Sequence, residues 1–155
     1  VNIFILDLDI EKSVRYHCDK HVVKMITEYA QILSTVCRLE GMDVGYKATH
    51  VNHPCVKWAG KTFGNWIYLR KLITALNSEY QYRYETTRNH KAYEVARDLP
   101  FPKTLTNPFI TAHALAMPDQ YKIEGNAVKS YRDYYIGEKR HIANWKRRPI
   151  PNWWS

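Results

Sequence analysis

Between His17 and Val36 the residues sort cleanly by side. Steps of three and four place His17, His21, Lys24, Glu28 and Gln31 on one face of a helix. Val22, Met25, Ile26, Tyr29, Ile32, Leu33 and Val36 fall on the other. The helical pattern extends from about Ile10 to Arg38, with Asp9 placed to cap it. Residues 2–6 ahead of it are apolar and rich in β-branched side chains, which predicts a brief buried strand or an extended arm. Gly41 to His53 reads as a loop. Pro54 suits a first helical position, and a second stripe of Trp58, Trp66, Leu69, Ile73, Leu76 and Tyr80 runs to about Tyr84. Gly60 and Gly64 loosen its first half.

Prolines at 100, 102 and 108 break any helix in the middle of the chain. That stretch reads as turn-rich, with room for one short helix at Ala112–Ala116. Asn126 to about Trp145 is the third long candidate, anchored by Val128, Tyr131, Tyr135 and Ile142. The predicted fold is therefore mainly α. It is a single domain over residues 1–155, with about three main helices, an extended N-terminal arm and an irregular basic and aromatic tail.

A length of 155 residues and 45% hydrophobic content suit one globular core. No apolar run approaches the ~20 residues of a membrane span, and the opening residues lack the basic leader of a signal peptide. Cys18, Cys37 and Cys55 are odd in number and lack metal-type pair spacing, which suits reduced thiols in a cytoplasm.

Charge adds a partner to this picture. The chain carries +8, and between Lys129 and Arg148 seven basic residues stand against two acids. Lys139, Arg140, Lys146, Arg147 and Arg148 are interleaved with Tyr134, Tyr135, Trp145, Trp153 and Trp154. Cations neutralise phosphates and aromatic rings stack on bases, so this quarter reads as a nucleic-acid interface. The competing reading is a basic helix in water whose aromatics pack inward.

The polar face of the first long helix also has two readings. A helix with one apolar side normally turns the other to solvent, where Glu28 pairs with Lys24. A histidine and a carboxylate two turns apart, close to an N-terminal arm, also suit acid–base work at the amino terminus. His17 and His21 have the i, i+4 spacing of zinc ligands, but no glutamate follows the first histidine and no third ligand is defined. Phosphate-binding glycine loops and nucleophile elbows are absent.

Several segments in order carry a resemblance: Asp19-Lys20-His21 with Glu28 seven residues after the histidine, Gly45-Tyr46, His53-Pro54 with Trp58, and Trp66 to Glu79. Together they resemble the pyrimidine-dimer DNA glycosylase family, the endonuclease V type first known from a bacteriophage. The resemblance implies a monomeric DNA glycosylase with AP-lyase activity, acting on damaged or modified pyrimidines in double-stranded DNA without metal or cofactor. It implies that the α-amino group of Val1, exposed once an initiator Met is removed, attacks the sugar C1′ and forms an imine. An α-amine near pKa ~7.7–8.0 is partly neutral at physiological pH, unlike lysine near ~10.4. Glu28 is then the acid–base group. His21, Lys24 and Gln31 join Lys139, Arg140, Lys146, Arg147 and Arg148 in binding DNA. The family's dimer-acting members carry arginines beside the glutamate and three residues beyond it. This chain has Thr27 and Gln31 there. A DNA-binding protein without turnover and a metal enzyme centred on His17 and His21 are the alternatives.

Overall fold

Two 21-residue helices form the centre of the molecule, α2 (Asp19–Leu39) and α4 (Phe63–Arg83). The computed structural model describes residues 1–155. Shorter helices surround this pair: α1 (Ile10–Tyr16) and α3 (Pro54–Ala59) pack on α4, α3 also on α2, and α5 (Lys91–Asp98) on both. The sixth helix, α6 (Ala127–Glu138), lies against the N-terminal arm, and 3₁₀ turns occur at Asp119–Tyr121 and Arg140–Ile142. There are no strands, and 31 buried hydrophobic residues make one continuous core. The mainly α class with an extended arm and an irregular tail is the fold expected from the pattern. No helix is long and apolar enough to cross a membrane.

The helices are more interrupted than their apolar stripes suggest, and each break has a tertiary cause. The expected helix from Ile10 to Arg38 is two helices, divided at His17 and Cys18, whose backbones are extended. The His17 ring takes the Ser13 carbonyl at 2.7 Å, the Tyr135 hydroxyl takes the Cys18 N–H, and the Asp19 N–H donates to Asn144 O. Groups distant in sequence thus satisfy the backbone where a helix would have satisfied itself. The second stripe divides at Gly60–Thr62. Thr62 caps α4 by accepting from the Asn65 N–H, and His53 caps α3 by accepting from Cys55 N–H. The third candidate ends as a helix at Glu138 rather than Trp145.

The middle of the chain holds α5, which the turn-rich reading passes over; His90 caps it and Ala92 and Ala96 bury its inner side. The short helix expected at Ala112–Ala116 does not form. Asn65 Oδ1 accepts from Thr111 N–H, the Tyr131 hydroxyl donates to Ala114 O, and the Tyr131 hydroxyl oxygen accepts from Ala116 N–H, so side chains hold the segment extended.

The N-terminal arm is extended and buried from Ile3 to Leu6, but it pairs with no strand. Side chains take the place of a ladder. Phe4 N–H donates to the Tyr29 hydroxyl at 3.0 Å and Leu6 N–H to Ser13 Oγ at 3.2 Å. Arg132 Nε donates to Leu6 O, and its guanidinium also pairs with Asp7. These bonds set the register of the arm along α2.

Candidate active site at the amino terminus

With the arm held in that register, the Val1 nitrogen lies 3.2 Å from Glu28 Oε1. Both side chains are mostly enclosed, at 14% and 23% exposure. They open into a small cavity of about 150 Å³, which His21, Lys24, Tyr134 and Lys139 also line. The Lys139 ammonium sits 5.0 Å over the Tyr134 ring. Val1, Lys24 and Lys139 set three cationic groups against the one carboxylate of Glu28, so the cavity carries net positive charge.

The polar stripe of α2 is only partly a solvent face. Lys24 is exposed, but His17 and His21 are buried, because Phe4 of the arm covers them. The Phe4 ring stacks on His21 at 4.6 Å and meets His17 edge-on. Burial pushes the His17 pKa down to about 4. It pushes His21 down to about 3, helped by His17, Lys139, Lys24 and the N-terminal charge. Both rings are neutral near pH 7. His17 uses both nitrogens, Nδ1 on Ser13 O and Nε2 with the Tyr29 hydroxyl, so neither is open to a metal. No three His, Cys, Asp or Glu side chains lie close enough to share an ion. This geometry speaks against the alternative of a metal enzyme centred on His17 and His21, because His17 serves the arm. The three cysteines are free and buried.

The residues expected to bind DNA fall into two groups. His21, Lys24 and Lys139 line the cavity, and Gln31 lies half-buried one turn beyond Glu28 on α2. The other four lie along the C-terminal tail and hold it to the fold. Arg148 donates to both oxygens of buried Glu79, at 2.9 and 2.8 Å, and stacks on Tyr82. Arg147 donates to Tyr82 O and also sits over the Tyr82 ring, at 4.3 Å from its centroid. Lys146 sits over Tyr84 while its N–H donates to Asp19, and Arg140 reaches the carbonyl of Ser155 and the Trp154 ring.

Sequence spacing passes over Tyr29 and Tyr135, which position the arm and His21. It assigns both to the apolar core, and nothing in a helical stripe distinguishes a tyrosine with a working hydroxyl. His53 is a capping residue whose pKa burial lowers, with the N-terminal charge and His50 adding to it.

The cavity thus brings an amine, a carboxylate and two lysines together on a helical scaffold. The sequence profile of the pyrimidine dimer DNA glycosylase family matches residues 1–92. The chain belongs to that family, and its substrate is accordingly DNA. No curated protein and no solved structure matches the chain significantly. The matched segment contains the arm and the helices α1 to α4, including Val1, His21, Lys24 and Glu28. Tyr134, Tyr135 and Lys139 complete the cavity and its support from beyond that segment.

Proposed function

We propose that this protein excises damaged or modified pyrimidines from double-stranded DNA with its Val1 amine as nucleophile. The observation that supports this most is the 3.2 Å approach of the Val1 nitrogen to Glu28. In the reaction the neutral amine attacks C1′ of the target nucleotide. The glycosidic bond breaks, its electron pair leaves with the base, and the base picks up a proton. Ring opening yields an imine between Val1 and C1′. The Glu28 carboxylate then removes a C2′ proton, the C3′–O bond breaks by β-elimination, and water hydrolyses the imine to free the enzyme. Lys24 and Lys139 neutralise the phosphates that flank the target sugar. In this reading the protein acts as a monomer. The mechanism requires a mature chain whose first residue is Val1, which an intact mass measurement reports directly.

Borohydride reduction in the presence of UV-irradiated and abasic duplexes tests the reading. A covalent adduct that maps to the Val1 nitrogen is expected. In Glu28→Gln the strand cleavage rate should fall by about 10²–10⁴-fold, the usual contribution of a positioned acid–base group. DNA affinity should change little. Salt-sensitive binding with no adduct on any duplex would leave a DNA-binding protein without turnover. Full cleavage by Glu28→Gln would remove the carboxylate from the mechanism.

A further inference from the structure

His21 is 3% exposed, yet it lines the cavity beside Val1 and Glu28. Its Nδ1 lies 2.6 Å from the Tyr135 hydroxyl, while no protein atom bonds Nε2. The proton between His21 and Tyr135 has a definite owner. The Cys18 N–H donates to the Tyr135 oxygen at 3.2 Å and occupies one of its lone pairs. The hydroxyl proton has two acceptors in reach, His21 Nδ1 at 2.6 Å and Cys18 Sγ at 3.7 Å. A thiol sulfur is the far weaker acceptor, and the nitrogen is much closer. Were His21 the donor, the hydroxyl proton would be left to the sulfur. The Tyr135 hydroxyl therefore donates to Nδ1, and a neutral ring must carry its own proton on Nε2.

We infer that Tyr135 is a positioning residue that holds His21 as a neutral Nε2–H donor aimed at an oxygen of the bound deoxyribose phosphate. This deepens the proposed glycosylase reaction and rests on it for the identity of the acceptor. The setting is complete from every side. α2 brings Lys24 and Glu28, and the break ahead of it His17; the arm brings the Val1 nitrogen and the Phe4 ring; α6 and its end bring Tyr134, Tyr135 and Lys139. The cations oppose protonation of the ring, and the Phe4 stack fixes its plane. A donor so held needs no reorganisation when negative charge grows on a nearby oxygen. The ring does not act as a proton shuttle. Tyr135 lies outside the family-matched residues 1–92, so this control of His21 comes from the C-terminal third of the chain.

Nitrogen-15 spectra of the histidine rings in the full-length protein, with His21→Gln used for assignment, read the tautomer directly. His21 should show the Nε2–H form from pH 5 to 8 without titrating, and Tyr135→Phe should mix the tautomers. A second arm follows borohydride trapping on abasic duplex. The His21→Gln side chain keeps an N–H donor near Nε2, so it should retain most of the trapping rate and an unchanged pH profile. His21→Leu should lose about 10²–10³-fold, the usual cost of a preorganised donor. An Nδ1–H tautomer, titration of His21 between pH 5 and 8, or a Gln variant as impaired as Leu would overturn the inference. Absence of any adduct with the wild-type protein would instead defeat the amine mechanism, while the spectra still decide the tautomer.

Discussion

Arg83 shows how a single residue can do structural work that its charge conceals. It is fully buried at the end of α4, with Nε on Glu79, one terminal nitrogen on Asp19, and the other on the carbonyls of Val14 and Arg15 at the C-terminus of α1. A buried guanidinium is tolerated only when its donors are matched this fully. Glu79 is shared with Arg148, whose bonds and those of Arg83 hold the carboxyl below its usual range despite burial. Removing Arg148 leaves half of that carboxylate without a partner. Arg148→Ala should therefore lower stability by about 1–3 kcal/mol without changing the salt dependence of DNA binding. Lys139→Ala should do the reverse. Its stability should stay within about 0.5 kcal/mol, while the log–log salt slope falls by about 0.9 for the lost phosphate contact. Urea melts and DNA titrations over a salt series separate the two residues. A slope change in Arg148→Ala would return it to the DNA interface.

At the scale of elements, loops decide where helices start and stop. The segment before Thr111 closes over the first turn of α4, where Gly64 N–H donates to Asn107 O. A Cβ on Gly64 would meet the Pro108 carbonyl oxygen and, at 2.6 Å, the Phe109 carbonyl carbon. Both neighbours are backbone, so neither can swing aside. Alanine is favoured over glycine in a helix by roughly 1 kcal/mol, but overpacking against backbone costs about 1–3 kcal/mol. The clash wins. The net loss is up to about 2 kcal/mol, so Gly64→Ala should lower the melting temperature by up to about 8 °C, taking about 2–4 °C per kcal/mol for a chain of this size, as calorimetry would show. An unchanged or raised melting temperature would mean that this loop is not seated on α4. The arm shows the same dependence at closer range to the chemistry. Its position comes from Tyr29, Ser13 and Arg132, and the Val1 nitrogen inherits it.

For the whole molecule, two buried histidines, His17 and His21, and the half-buried His113 make stability depend on pH. Burial lowers His17 and His113 to about 4 and, with the neighbouring cations, His21 to about 3. In an unfolded chain each titrates near ~6.5. Below that pH the unfolded chain takes up protons that the folded rings refuse. The stabilisation is fully present above about pH 6.5 and is lost as pH falls towards 4, by up to ~1.4 kcal/mol per pH unit per ring. Glu79 adds to the same trend at lower pH, since its folded pKa is also depressed. Urea midpoints should drop steadily from pH 6.5 to 4. His113 lies against the Trp58 and Tyr68 rings, 5.0 Å from each centroid, with no hydrogen-bond partner. His113→Phe should remove its share of the slope at little cost at pH 7. A flat profile in the wild type would place these rings in water.

The hydrophobic pattern was enough to place α2 and α4, because an apolar stripe at helical spacing has one way to be buried. It also put Glu28 on the polar side of α2, and the order of short motifs pointed to the family. The divisions at His17 and at Gly60–Thr62 were beyond it, because the groups that replace the helical hydrogen bonds come from distant segments such as Tyr135 and Asn144. Spacing alone left α5 unrecognised, since its inner side is only Ala92 and Ala96, too small to register as a stripe. The roles of the basic residues depended on their neighbours in space. Lys139 lines a cavity and Arg148 grips Glu79, though both sit in one run of positive charge. Above all, the contact between Val1 and Glu28 was decided by tertiary structure. An extended arm has no intrinsic address, and only the side chains of α1, α2 and α6 give it one.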